Sequence, residues 1–226
     1  MKKIFTFLAL LITVIASAQQ NETATPDYAL IEKNVKDMHS PYYYPALFER
    51  YQKADTSMTT QERRHLYYGF AFVQKPYDKD KLDAAQSGLK KVLQKQNPGP
   101  ADMDTVITLT TILLEAKPFS LTLKEYRLYC LKELGRYGQA VAEREQANII
   151  IDAILSSGDG TTKKNSIHVL DAGNEYDVVS VLGFETAGNE FVVNGKYDYL
   201  TLNKNLYNLP GLYFEVAASK KLVTGL

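Results

Sequence analysis

The apolar residues of this chain change their period once. From Asp27 to about Leu155 they recur every three to four positions, and beyond residue 165 they alternate. A period near 3.6 buries one stripe of a helix and a period of two buries one face of a strand, so the change requires a helical body followed by a β unit. Leu82, Ala85, Leu89, Val92 and Leu93 form one helical stripe. Met103, Val106, Ile107, Leu113 and Leu114 form a second, and Ala147, Ile150, Ile151, Ile154 and Leu155 a third. Thr59 and Glu62 have the spacing of a capping box, Asn97-Pro98-Gly99-Pro100 separates two helices, and Lys117-Pro118 stops another. The run Ser156 to Asn165 is rich in turn-forming and charged residues and divides a helical region, 27–157, from a β region, 166–218.

In the β region the alternation predicts strands over Ile167 to Asp171, Glu175 to Phe184, Phe191 to Val193, Lys196 to Leu202 and Leu212 to Val216. Asn194-Gly195 between two of them is a hairpin turn, because both of its positions tolerate positive φ. The expected fold is α+β: helical hairpins, then a small antiparallel sheet of about five strands whose apolar face packs on the helices. Leu131 to Ala140 resembles the turn between the two helices of a tetratricopeptide-type repeat, with Gly135 ending one helix and Ala140 letting the next pack closely. The likeness covers ten residues and does not recur at a period near 34, so it predicts a hairpin and no repeat array.

The beginning of the chain predicts export. Lys2-Lys3, the apolar run Ile4 to Ile15 and Ala16-Ser17-Ala18 make a signal peptide over 1–18, and residues 19–26 read as a disordered lead-in. The apolar run falls short of the roughly 20 residues a spanning helix needs, so no stable membrane span is expected in the mature form. The single cysteine, Cys130, lies in an apolar helical run and reads as a small buried hydrophobe; an oxidising compartment therefore adds no internal disulfide. Cleavage after Ala18 removes two of 26 basic residues and none of 26 acidic ones, which leaves no electrostatic footprint for nucleic acid.

Chemistry-bearing motifs are sparse. His39, His65 and His168 lie far apart with no ligand spacing among them, so neither a metal nor another cofactor is expected, and His65 reads as part of a solvated helix face. Two features remain. A two-residue turn at Asn194-Gly195 pairs Val193 with Lys196 and Phe191 with Asp198, which sets Asp198 on the apolar face with Phe191, Val193, Leu200 and Leu202. Glu175 and Asp177 begin the neighbouring predicted strand, and two carboxylates in a partly dry site would form an acid/base pair. The simpler expectation is that Asp198 pairs with Lys196 on the same face or accepts backbone hydrogen bonds at the sheet end. The second feature is Tyr42-Tyr43-Tyr44, held between Pro41 and Pro45: three successive rings cannot share one helix face, so at least one is left for a loop or a ligand such as a sugar ring.

The pieces Asn174-Glu-Tyr-Asp-Val-Val, Leu182-Gly183-Phe184, Phe191-Val-Val-Asn-Gly, Tyr197-Asp198-Tyr199 and Leu212-Tyr-Phe214 resemble an uncharacterised family of exported Bacteroidetes proteins. That resemblance spans nearly the whole mature chain. It implies a periplasmic, surface or secreted location and carries no activity, cofactor or catalytic residue with it. The function expected from the sequence is a non-enzymatic binding or accessory protein of the cell envelope, its partner an envelope protein or a glycan. The alternative is a hydrolase of glycans or peptides using Asp198 and Glu175. Mass analysis of the secreted or periplasmic protein is expected to find Gln19 at its N-terminus; an intact Met1 would contradict cleavage after Ala18.

Overall fold

The computed structural model describes residues 23–216, so the predicted signal peptide lies outside the described residues. The helical body comprises α1 (Tyr28–Lys36), α2 (Tyr44–Gln52), α3 (Thr60–Gly69), α4 (Lys79–Leu93), α5 (Pro100–Ala116), α6 (Leu121–Glu133) and α7 (Tyr137–Leu155), with a 3-10 turn at Phe70–Phe72. The helix signals act where the sequence puts them. Thr59 and Glu62 exchange side-chain to backbone hydrogen bonds as a capping box, and Pro100 opens α5. At the end of α6, Gly135 adopts φ +69°, its N–H reaches the Lys132 carbonyl and the Arg136 N–H reaches that of Leu131, so the chain reverses and Ala140 is buried.

Helices α4 to α7 pack each on the next as successive hairpins, and α7 also lies against α3. Leu89, Val106 and Cys130 centre a small core among α4, α5 and α6. The main core joins α1, α2, α3 and α7 to Phe119 and then, across the 156–165 loop, to the C-terminal unit. That loop is tied down: the Tyr213 N–H donates to the Gly160 carbonyl, and the Ser157 hydroxyl accepts from the His168 N–H. Helical body and β unit therefore share one interior.

Two buried tyrosines of α3 make that junction. The Tyr67 hydroxyl donates to Asn174 Oδ1 at 2.9 Å and accepts from the Leu170 N–H at 3.0 Å, while the Tyr68 hydroxyl donates to the His168 carbonyl at 3.1 Å. Both rings are fully buried and meet edge to face at 4.9 Å.

The C-terminal unit holds β1 (Ile167–His168), α8 (Gly173–Val181), β2 (Thr186–Val193), β3 (Tyr197–Leu202) and β4 (Gly211–Glu215). The sheet is four-stranded in the order β1-β4-β3-β2, and β1 runs parallel to β4, so it is mixed and one strand smaller than expected. The missing strand is α8. Three valines at 178, 179 and 181 suggested a strand, but Asn174, Glu175, Val178 and Val179 are the buried positions, which is helical spacing. Gly183 at φ +77° then stops the helix: its N–H bonds the Ser180 carbonyl and that of Phe184 bonds the Val179 carbonyl. Helices are thus not confined to the region before residue 156.

The β2–β3 hairpin also departs from the expected register. Asn194, Gly195 and Lys196 form a three-residue loop with φ +57° and +64° at its first two positions, so Val193 pairs with Tyr197 and Val192 with Asp198. This one-residue slip moves Phe191 and Val193 to the face opposite Asp198. Asp198 keeps its place on the core face of β3 with Leu200 and Leu202, because the burial of those two leucines fixes that face.

A charged cluster is buried between α6 and α7. Lys124 Nζ donates to Glu143 Oε1 at 3.0 Å and to Gln146 Oε1 at 2.9 Å, and Arg127 Nε donates to Glu143 Oε2 at 3.0 Å. Burial pulls the Lys124 ammonium below its usual range, and the Glu143 charge opposes that shift. Removing one partner from such a group leaves the others uncompensated in a dry interior. Glu143→Gln is expected to lower the free energy of unfolding by about 3 kcal/mol, measured by urea titration at pH 7.

Candidate functional site

A groove of about 700 Å³ lies where the N-terminal helices meet the α4–α5 hairpin. Its volume is in the range of small-molecule sites. Val35 and Lys36 at the end of α1 form one wall and Tyr43, Tyr44, Pro45 and Phe48 at the start of α2 another. The 3-10 turn brings Phe70, the extended segment after it brings Gln74 to Asp78, and Lys81 and Glu115 come from α4 and α5. Pro45 in the first turn of α2 fixes where that helix begins, and so holds the tyrosines at the groove.

The aromatic lining is braced from below. Tyr44 stacks on Phe48 with ring centres 5.7 Å apart, and Phe70 meets Phe119 of the main core edge to face at 5.4 Å. The Tyr44 hydroxyl is buried and makes no hydrogen bond among the described residues. Burial pushes its ionisation well above the usual phenol range, so it stays a neutral donor and acceptor. The rim is polar: Lys81 Nζ donates to Glu115 Oε2 at 2.7 Å, Gln74 and Lys75 flank it, and Tyr77 is 61% exposed.

Of the three successive tyrosines, Tyr43 and Tyr44 line the groove and Tyr42 does not. Tyr42 instead stacks face to face on His65, 4.0 Å away with the planes 11° apart. His65 is consequently buried rather than solvated. Its Nδ1 lies 2.8 Å from the Gln61 carbonyl and its Nε2 lies 3.0 Å from Asn34 Nδ2, the partners of a neutral ring that donates from Nδ1 and accepts at Nε2.

The two carboxylates named from the sequence do meet, though one arrives on a helix. Glu175 in the first turn of α8 is fully buried, Asp198 on β3 is 5% exposed, and Glu190 on β2 joins them, with a carboxylate oxygen of each within 4.8 Å of the others. Glu190 also accepts a hydrogen bond from the Tyr176 hydroxyl at 2.7 Å. The sequence reading missed Glu190 because the expected register turned it to the opposite face; the three-residue loop returns it to the face of Asp198. Asp177 points away toward α6, where it accepts from Thr122 Oγ1 at 2.6 Å, and burial raises its pKa. Three carboxylate ligands suit a hard cation better than a metal that prefers thiolate or imidazole.

Two further groups are accounted for by packing. Burial pushes the Cys130 thiol up to about 11, which suits a small hydrophobe and not a nucleophile. His168 is buried between Tyr28 and Glu215, and burial holds it below the usual imidazole range against the opposing charge of Glu215. Among the described residues no helix is long and apolar enough to cross a membrane.

A family described as Domain of unknown function (DUF4919) matches residues 29–224. No curated protein and no solved structure matches the chain.

The burial of two imidazoles sets a sign for pH dependence. His65 and His168 take up a proton near pH 6.5 when unfolded and only at lower pH when folded. The unfolded state therefore binds more protons as pH falls through that window, and this part of the stability is present above about pH 6.5 and lost below it. Buried carboxylates such as Asp177 act in the opposite sense, so the histidine contribution is read as a difference. Urea unfolding at pH 7 and pH 5 is expected to show a smaller loss on acidification for His65→Gln than for the wild type.

Proposed function

We propose that this chain, which belongs to the DUF4919 family, is an exported binding protein of the cell envelope that holds a glycan chain in the groove between α2 and the α4–α5 hairpin. The observation that carries the reading is the groove's composition: Tyr43, Tyr44, Phe48 and Phe70 inside, with Gln74, Asp78, Lys81 and Glu115 around them. Sugar rings present flat C–H faces that pack on aromatic rings and a rim of hydroxyls that exchange hydrogen bonds with amide, carboxylate and ammonium groups. A purely apolar ligand would leave the polar rim unpaired. Export rests on the predicted signal peptide at 1–18.

The carboxylates do not favour hydrolysis. Glu175 has no exposed surface, and an acid that donates its proton to a glycosidic oxygen must touch the substrate. Neither member of the pair lines the groove.

The division of labour among the three tyrosines supplies the test. Isothermal titration of the mature chain against soluble oligosaccharides, muramidase fragments of peptidoglycan included, is expected to find one class that binds with a Kd below about 1 mM. Tyr43→Ala should weaken that binding about tenfold, a loss of about 1.4 kcal/mol, with thermal stability unchanged. Tyr42→Ala should leave affinity unchanged and lower stability by about 1 kcal/mol through loss of the His65 stack. Binding by peptides alone, or glycan binding that Tyr43→Ala leaves intact, would overturn the reading.

A further inference from the structure

We propose that Glu175, Glu190 and Asp198 form a calcium site that fastens α8 to the exposed end of the sheet. The starting point is Asp198. Its side chain is buried on the core face of β3 beside Leu200, and no hydrogen bond or ion pair to its carboxylate is formed among the described residues. The groups facing it are two more carboxylates, each offering an oxygen within 4.8 Å. Three carboxylates gathered this closely, two of them on largely buried residues, repel one another unless a proton or a cation is shared among them.

The number and type of the ligands favour Ca²⁺. Oxygen ligands stand about 2.4 Å from Ca²⁺, so two on opposite sides of one ion are about 4.8 Å apart and all others are closer. Three oxygens mutually within that distance close on a single Ca²⁺ with at most a small shift of their side chains. Mg²⁺ holds its ligands at about 2.1 Å in a near-ideal octahedron and gives up its waters reluctantly, which suits a wetter site with only one or two carboxylates. No histidine or cysteine contributes, which disfavours zinc and copper. Three carboxylates supply up to six oxygens, and the exposed position of Glu190 leaves an approach for the ion and its remaining waters.

The ligands come from three elements, α8, β2 and β3, of which β2 is the sheet's outer strand and is solvent-exposed along most of its length. An ion shared among them ties α8 to both strands of the β2–β3 hairpin. A site of this kind, built by a few carboxylates on an extracellular module, binds Ca²⁺ at about 0.1 to 1 mM.

The test uses the mature chain stripped with a chelator, then titrated with CaCl₂ to 10 mM while thermal unfolding is followed against NaCl of matched ionic strength. The expected result is a saturable rise in Tm of about 3 to 6 °C with one Ca²⁺ bound per chain by titration calorimetry. MgCl₂ should give a smaller rise, and Glu190→Gln and Asp198→Asn should each abolish the calcium response. Glu190→Gln carries the test if Asp198→Asn fails to fold, because Glu190 is exposed and its loss leaves the core intact. No rise beyond the NaCl control, or a rise that Glu190→Gln retains, would overturn the assignment.

Discussion

The fold depends on the paired tyrosines of α3. Tyr67 and Tyr68 are adjacent in sequence and both fully buried, which a single helix face cannot accommodate unless the helix is covered on two sides. It is so covered: α7 and α1 lie against it, and the turn between β1 and α8 closes over its remaining flank. Each hydroxyl that would be costly to bury finds its partner in the C-terminal unit, at Leu170, Asn174 and His168. The β unit is thus a necessary wall of the helical core rather than an appendage.

Aromatic side chains connect that wall to the groove. Buried rings of Tyr44, Tyr51, Tyr67, Tyr68 and Phe214 fill much of the interior, and Phe119 is a point where several aromatic rings converge. It contacts Tyr51, Tyr67 and Phe70 at 5.4 to 5.7 Å, so one ring touches the α2 layer, the α3 junction and the groove lining. The groove is therefore preformed, its lining anchored in the same core that joins the two halves. Rigid aromatic lining lowers the ordering cost of holding a flexible ligand.

The helical body was legible in the sequence because its signals are local. The capping box at Thr59, the Asn97–Pro100 break between α4 and α5 and the glycine stop at Gly135 each act within a turn or two, and all three work as read. Errors came where tertiary packing decides. The valines of α8 have strand propensity, yet Glu175, Val178 and Val179 are buried on one helical side, and Gly183 served as a helix stop in a stretch read as a strand. The hairpin was recognised but its loop length was not, since Asn-Gly suits two-residue and three-residue loops alike. Asp198 stayed on the core face because Leu200 and Leu202 fix the strand's orientation whatever the loop does. Glu190 and the Tyr42–His65 stack could not be foreseen, for each needs a partner placed by the fold rather than by spacing.

The central claim, that the aromatic groove at α2 receives a glycan, is tested most directly by NMR on the mature chain with its tyrosine rings isotopically labelled. On titration with the oligosaccharide class that binds, the account predicts shifts in the ring signals of Tyr43 and Tyr77, with those of Tyr67 and Tyr68 unmoved. Shifts confined to rings outside the groove, such as the exposed Tyr207 beside Phe184, would contradict it.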